Sequence, residues 1–363
     1  MSINSKKVVM KGSTKTMKDI AIEACVSVAT VSRALNHPEK VAVKTLQRIE
    51  KAITVIGYTT HKVKRIINPE QPKIILVVIG SLSLHLIKET IDGIEINAAQ
   101  HGFKVLINNV GQPQCSAEDI VNLTRATQVD GLLLLGLTIP CKIDEVDELK
   151  LIPMVMANEF SLSCCVPSLH VDSLAVAFEV VEYFFHLGHT QIACILGEDQ
   201  GQTTRNLLHG YTRALQRYQL ECDHRFVINS DLTYEAGKNA FSALMGLPER
   251  PTAIFCQSDT AALGVVREAK RMGISVPTDI SVIGFGNTAL AKFSSPALST
   301  VNLPNTLIGQ TMVQLLVNKI EGDPGSAYSK IFAHEVIMRE STAPLAEMKR
   351  VETVEPEFRA TTV

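Results

Sequence analysis

A chain of 363 residues exceeds one ordinary hydrophobic core and calls for two or three compact units. Hydrophobic residues make up 46% and charged ones 20%, and no run reaches the roughly 18 apolar residues of a membrane span, which argues against both a membrane-embedded and a disordered protein. The net charge of −2 conceals a division: residues 1–68 hold thirteen Lys and Arg against four Asp and Glu, a net of +9, and the remainder carries −11.

A basic head on an acidic body is suited to meet a polyanion. A membrane-surface helix would want aromatic or leucine-rich faces, but the chain has no Trp and Tyr58 is the one aromatic residue of the head. Nucleic acid is therefore the expected partner. Lys6, Lys7, Lys11 and Lys15 form a basic extension over 1–15 with no apolar signal core behind it, so a cytoplasmic, nucleoid-associated location is expected. The eight cysteines lack paired spacing and lie mostly in apolar runs, as buried free thiols do.

In chain order, Thr16 can cap a first helix, with Asp19 three residues on as its acidic partner. Ile20, Ala21 and Ala24 form that helix's inner face. The "CVS" stretch makes a turn, and Ser27 is placed to cap a second helix with Val31, Ala34 and Leu35 turned inward. A third apolar pattern runs over 43–56 and ends at Gly57. Three short helices with a tight turn between the first two predict a helix-turn-helix unit over 16–58, whose second helix enters the DNA major groove. Small side chains at Val28 and Ala29 let that helix approach base edges and touch thymine methyls, and Arg33 can reach guanine O6 and N7. Thr30, Ser32 and Asn36 suit phosphate oxygens, and Thr16 and Ser27 at the helix starts complete the expected contact set.

The segments "MKDIAIEACVSVATVSRAL" and "RIEKAITVIGY" resemble the head of the LacI/GalR family of bacterial transcription repressors. Asp19, Ala21, Val26, Ser27, Thr30, Val31, Ser32 and Leu35 fall on the fixed points of its signature, and Ala42 departs from a usual serine cap. The resemblance implies a hinge over 59–72, with Arg65 and Ile67 at the family's Arg and Leu places. Ile67 could act as a minor-groove wedge, or the segment could serve as a flexible basic tether.

From Lys73, continuous apolar runs such as "KIILVVIG", "GLLLLGL", "TQIACILG" and "ISVIGFG" alternate with helical patterns, notably 86–100. Two such series predict two α/β lobes with parallel sheets covered on both faces, and ligands at the strands' carboxyl ends. This resembles the family's periplasmic-binding-protein-like core over 73–343. The first lobe is expected at about 73–172 and 300–328, the second at about 173–299 and 329–343, and a disordered tail at 344–363.

Against the family's effector pocket, several polar and aromatic positions have changed. Gly286 stands for an Asp, Leu207 for an Arg, Leu232 for a Phe and Leu303 for a Gln, and His85-Leu86-Ile87 replaces Pro-Phe-Phe. Asn158, Asp172, Arg205 and Asp259 remain as candidate effector contacts. A cleft that loses a carboxylate and a guanidinium together grips hydroxyls less well, which implies an altered or lost response to nucleosides or sugars.

His186 and His189 flank Gly188 at a helix end, where an imidazole can meet terminal carbonyls. No dinucleotide, P-loop, nucleophile-elbow or zincin motif occurs, so neither an enzyme nor a cofactor is expected. The sequence thus predicts a repressor acting as a homodimer on palindromic operators, with the segment 86–96 in the dimer contact. Its modulator is expected to be a small nucleoside-like effector or a partner regulatory protein. A solute-binding receptor built on the same core is the alternative.

Overall fold

The computed structural model describes residues 17–36, 40–56, 73–80, 84–111, 114–137, 139, 152–159, 166–198, 201–323 and 328–345. The expectations for 1–15, Thr16, the hinge with Arg65 and Ile67, and the tail from 346 onward lie outside these residues. The chain divides into a head, residues 1–73, and a body, residues 74–363.

In the head, α1 (Met17–Glu23), α2 (Val28–Asn36) and α3 (Val43–Ile56) close on a small core. Ile20, Ala21 and Ala24 meet Val31 and Ala34 from α2 and Ile49, Ala52 and Ile53 from α3. The i, i+3, i+4 spacing puts these apolar positions on one side of each helix. A domain this small has little apolar surface to bury.

The body holds two six-stranded sheets. The first runs in the order β11 (Lys330–Phe332), β5 (Ser168–Val171), β4 (Met154–Ala157), β3 (Gly131–Leu135), β1 (Lys73–Ile79), β2 (Phe103–Asn109). The second runs β12 (Glu335–Ile337), β10 (Ser299–Asn302), β9 (Ser281–Phe285), β8 (Ala253–Cys256), β6 (Ile192–Gly197), β7 (Val227–Ser230). Strands β1, β3, β4 and β5 pair in parallel, as do β6, β7, β8, β9 and β10. Strands β3, β4, β6, β8 and β9 are buried along their whole length without alternation, as helices on both faces require. The edge strand β2 (Phe103–Asn109) is different: Leu106 and Ile107 are exposed.

The helices α4 (Leu84–Gln100), α5 (Ala117–Thr127) and α11 (Asn305–Glu321) accompany the first sheet. The second has α6 (Ser173–His186), α7 (Gln202–Arg217), α8 (Tyr234–Met245), α9 (Asp259–Arg271) and the short α10 (Ala289–Phe293). One apolar cluster contains residues of both sheets, from Val77 and Leu133 to Cys194 and Phe255.

The lobe boundaries differ from expectation at two strands. Ser299–Asn302 is β10 and pairs with β9, so the second lobe extends past 300. Lys330–Phe332 is β11 and pairs with β5, which returns it to the first lobe before β12 (Glu335–Ile337) joins β10 antiparallel. Three-residue strands carry no readable periodicity, and only their partners assign them. The expected tail begins with described residues, since Leu345 donates its N–H to the carbonyl of Leu187.

Candidate DNA-reading helix and inter-lobe cleft

The turn between α1 and α2 sets how α2 is presented. Val26 N–H bonds to the Ala21 carbonyl and Cys25 N–H to that of Ile22, the paired bonds of a Schellman motif. Cys25 therefore occupies the left-handed position that favours glycine, with φ at 50°. Arg48, on α3, donates through Nη2 to the carbonyls of Ala24 at 2.7 Å and Cys25 at 3.2 Å.

Beyond the turn, Ser27 Oγ accepts the Thr30 N–H at 3.0 Å and meets Thr30 Oγ1 at 2.8 Å, so the expected cap forms. Val28, Ala29 and Arg33 are exposed, Thr30 and Ser32 are half-buried, and Val31 and Ala34 are buried. The structure thus gathers Ser27, Val28, Ala29, Thr30, Ser32 and Arg33 on one capped helix. Asn36 is its last residue. Chemically this is a face of methyl groups, hydroxyls and one guanidinium, led by a helix N-terminus whose partial positive charge favours phosphate.

In the body, α7 follows β6 and α9 follows β8, so both begin at the carboxyl ends of parallel strands. Asn158, with φ at 64°, and Glu159 follow β4 in the first lobe. Across from them, Thr203 Oγ1 donates to the Asn158 carbonyl at 2.8 Å and the Gln202 N–H to Glu159 Oε2 at 2.8 Å. Arg205 is exposed and reaches the Gln202 side chain through Nη2 at 3.0 Å. Asp172 is the N-cap of α6, its Oδ1 accepting from Leu174 and Ala175 at 3.1 Å each.

Asp259 is placed apart from these. It is buried inside the second lobe, where Oδ1 accepts from Thr300 Oγ1 at 2.5 Å and Oδ2 from Thr288 N–H at 2.7 Å. Burial pushes its carboxyl above the usual range, and those hydrogen bonds pull it back. The altered positions are apolar in place as well as in sequence: Leu207 is fully buried and Leu303 nearly so. Gly286 adopts φ of 125°, and its neighbour Asn287 is held by Arg339 Nη2 at 2.5 Å.

Sequence reasoning missed Arg48, Glu159 and Gln257. Gln257 is buried, accepting from Gly197 N–H at 2.8 Å and donating to Thr204 Oγ1 at 2.9 Å. Each of these contacts joins segments distant in the chain, so no local pattern announces it. His189 also departs from expectation. Its ring is buried between Thr252 Oγ1 at 2.9 Å and the carbonyl of Ala343 at 3.2 Å, so it pins the C-terminal segment instead of meeting carbonyls at the end of α6. Among the described residues no cluster of His, Cys, Asp and Glu is arranged to hold a metal ion.

A capped helix in a three-helix head ahead of a two-lobed α/β core is the architecture of a helix-turn-helix regulator with a binding-protein-like body. Residues 16–61 match the bacterial regulatory proteins of the lacI family, and residues 181–342 the periplasmic binding protein-like domain. The chain is 39% identical to the HTH-type transcriptional repressor CytR of Escherichia coli strain K12 over 330 residues, covering 91% of this chain and 97% of that one. It is 30% identical to catabolite control protein A of Priestia megaterium, covering 90% and 99%. Among solved structures, the lac repressor dimer bound to operator and the anti-inducer ONPF superposes with a TM-score of 0.67 at 25% identity, covering 91% of this chain and 100% of that one. The chain belongs to the lacI family of transcriptional regulators, and its role is that of a DNA-binding regulator.

Proposed function

We propose that this regulator is a repressor that binds palindromic operators as a homodimer in the cytoplasm. The observation that carries the reading is the capped helix α2, with Val28, Ala29 and Arg33 exposed over a closed three-helix core. Arg33 reads guanine, Val28 and Ala29 read thymine methyls, and Thr16, Ser27, Thr30, Ser32 and Asn36 hold phosphates. Arg65 and Ile67 contribute at the minor groove. Two-fold symmetry of the operator is met by two-fold symmetry of the protein. Exposed apolar side chains at Ile96, the last residue of the expected segment 86–96 on α4, and at Leu106 and Ile107 on the edge strand β2 support a dimer contact made by the first lobe.

The body acts as a non-catalytic sensor whose response to small molecules is altered. Leu207 and Leu303 supply no hydrogen bonds to a sugar or nucleoside. The Asp172 side chain caps α6, and both Asp259 oxygens are engaged within the second lobe. A partner regulatory protein is the modulator this favours. Genome-wide footprinting of bound DNA with and without added nucleosides tests both parts. Discrete palindromic sites unmoved by cytidine are expected. Absence of any site refutes the repressor, and release by micromolar cytidine refutes the altered response.

A further inference from the structure

Helix α7 begins without a cap of its own. Its N-cap residue is Gly201, which makes no side-chain capping bond, and the first amides of a helix need an acceptor from outside it. That acceptor comes from the other lobe. Glu159 is 6% exposed, and its Oε2 takes the Gln202 N–H at 2.8 Å. Alongside, Thr203 Oγ1 donates to the Asn158 carbonyl at 2.8 Å, so two successive residues of the first lobe grip two successive residues of α7. The fit extends to Gly201: a Cβ there would lie 2.6 Å from Glu159 Oε1. Gly201 has φ of −60°, which any residue adopts, so a side chain there would be opposed by the carboxylate, which would have to move, and not by the backbone.

We propose that Glu159 is a tethered ligand: a carboxylate supplied by the first lobe to the N-terminus of α7 in the second, occupying from within a subsite whose chemistry suits a small free carboxylate. A buried carboxylate is stable only with donors to satisfy it, and the Gln202 N–H at the positive end of a 16-residue helix is one of them. Tethering gives the group an effective concentration that a dissolved competitor of similar affinity does not match. Glu159 therefore holds the two lobes together without a dissociable effector. This deepens the proposed altered response and rests on that reading only for its regulatory consequence.

Hydrogen exchange of the peptide covering 202–207, measured on the full chain, tests the assignment. In Glu159→Ala the first-turn amides should exchange about fivefold faster, the effect of losing a helix cap. Formate should slow them again in this variant, sodium chloride at the same ionic strength should not, and the parent protein should respond to neither. Gly201→Ala should also speed exchange, by displacing the carboxylate from the opposite lobe. Glu159→Gln, which keeps an acceptor oxygen but not the charge, should fall between.

Parent-like exchange in both Glu159→Ala and Gly201→Ala would overturn the proposal, as would acceleration in Glu159→Ala that formate does not reverse. So would a formate effect on the parent equal to that on Glu159→Ala. Should Glu159→Ala not fold, the Gly201→Ala and parent arms still decide. None of these readouts involves DNA, so their failure and a failure of operator binding are separate results.

Discussion

Arg48 Nη2 donates to the carbonyl of Cys25, the residue that holds the left-handed turn ahead of the reading helix. The same atom reaches the Ala24 carbonyl, so a cation from α3 caps the C-terminal end of α1 and fixes the turn from outside. A side chain in the left-handed region costs about 1–2 kcal/mol, partly offset in any glycine variant by the greater freedom of the unfolded chain. Cys25→Gly should stabilise the head by about 0.5–1 kcal/mol. Arg48→Ala should destabilise it by a similar amount. Hydrogen exchange across Met17–Ile56 reads both, and Cys25→Gly should restore much of what Arg48→Ala loses.

Arg33 and Lys18 are both exposed in the head but are assigned different tasks. Arg33→Ala should cost about 1–3 kcal/mol on the preferred operator and little on an operator altered at the contacted base. Lys18→Ala should weaken binding to all sequences alike, as loss of one phosphate contact does. Anisotropy titrations against a panel of operator variants distinguish the two patterns. Equal losses across the panel for both residues would contradict the assignment.

Ile107 is 48% exposed on the edge strand β2, and Ile96 on α4 is 51% exposed. Burying such side chains between two copies is worth about 1.5–3 kcal/mol each, and a carboxylate in their place would be buried unpaired. Ile107→Asp should therefore shift the protein from dimer to monomer in sedimentation at micromolar concentration. An unchanged dimer would place the contact on another face.

Burial lowers the pKa of His189 below its ordinary 6.5, with the hydrogen bond to the Ala343 carbonyl opposing the shift. Burial lowers that of His170 as well. For a depressed imidazole the unfolded chain binds the proton first, so the native state loses stability as pH falls through 6.5 toward the lower folded value. The contribution is fully present above 6.5 and shrinks below it. Denaturant midpoints between pH 8 and pH 5 should show this slope, and His189→Gln should flatten it in part. A parent protein growing more stable over that descent would contradict the assignment.

The strands were readable because a parallel sheet covered on both faces demands unbroken apolar runs, and "GLLLL" in β3 is fully buried. Helix α2 was readable because capping and face periodicity are local, and Ser27, Val31 and Ala34 took the places their spacing gave them. What escaped depends on distant partners. Lys330–Phe332 is assigned by pairing with β5, and Glu159 matters because the uncapped Gly201 meets it across the cleft. Cys25 passed as an ordinary turn residue, since its left-handed φ becomes visible only with the backbone in hand.

The basic head is proposed to place α2 in the major groove of a palindromic operator. The most direct test is the affinity of the full chain for its footprinted operator and for a scrambled duplex, followed from about 50 to 200 mM salt. A head of net charge +9 in each of two copies predicts operator binding at least about 10³-fold tighter than scrambled binding, with an affinity that falls by about 10³-fold or more over that range. Equal affinity for the two duplexes, or binding indifferent to salt, would contradict it.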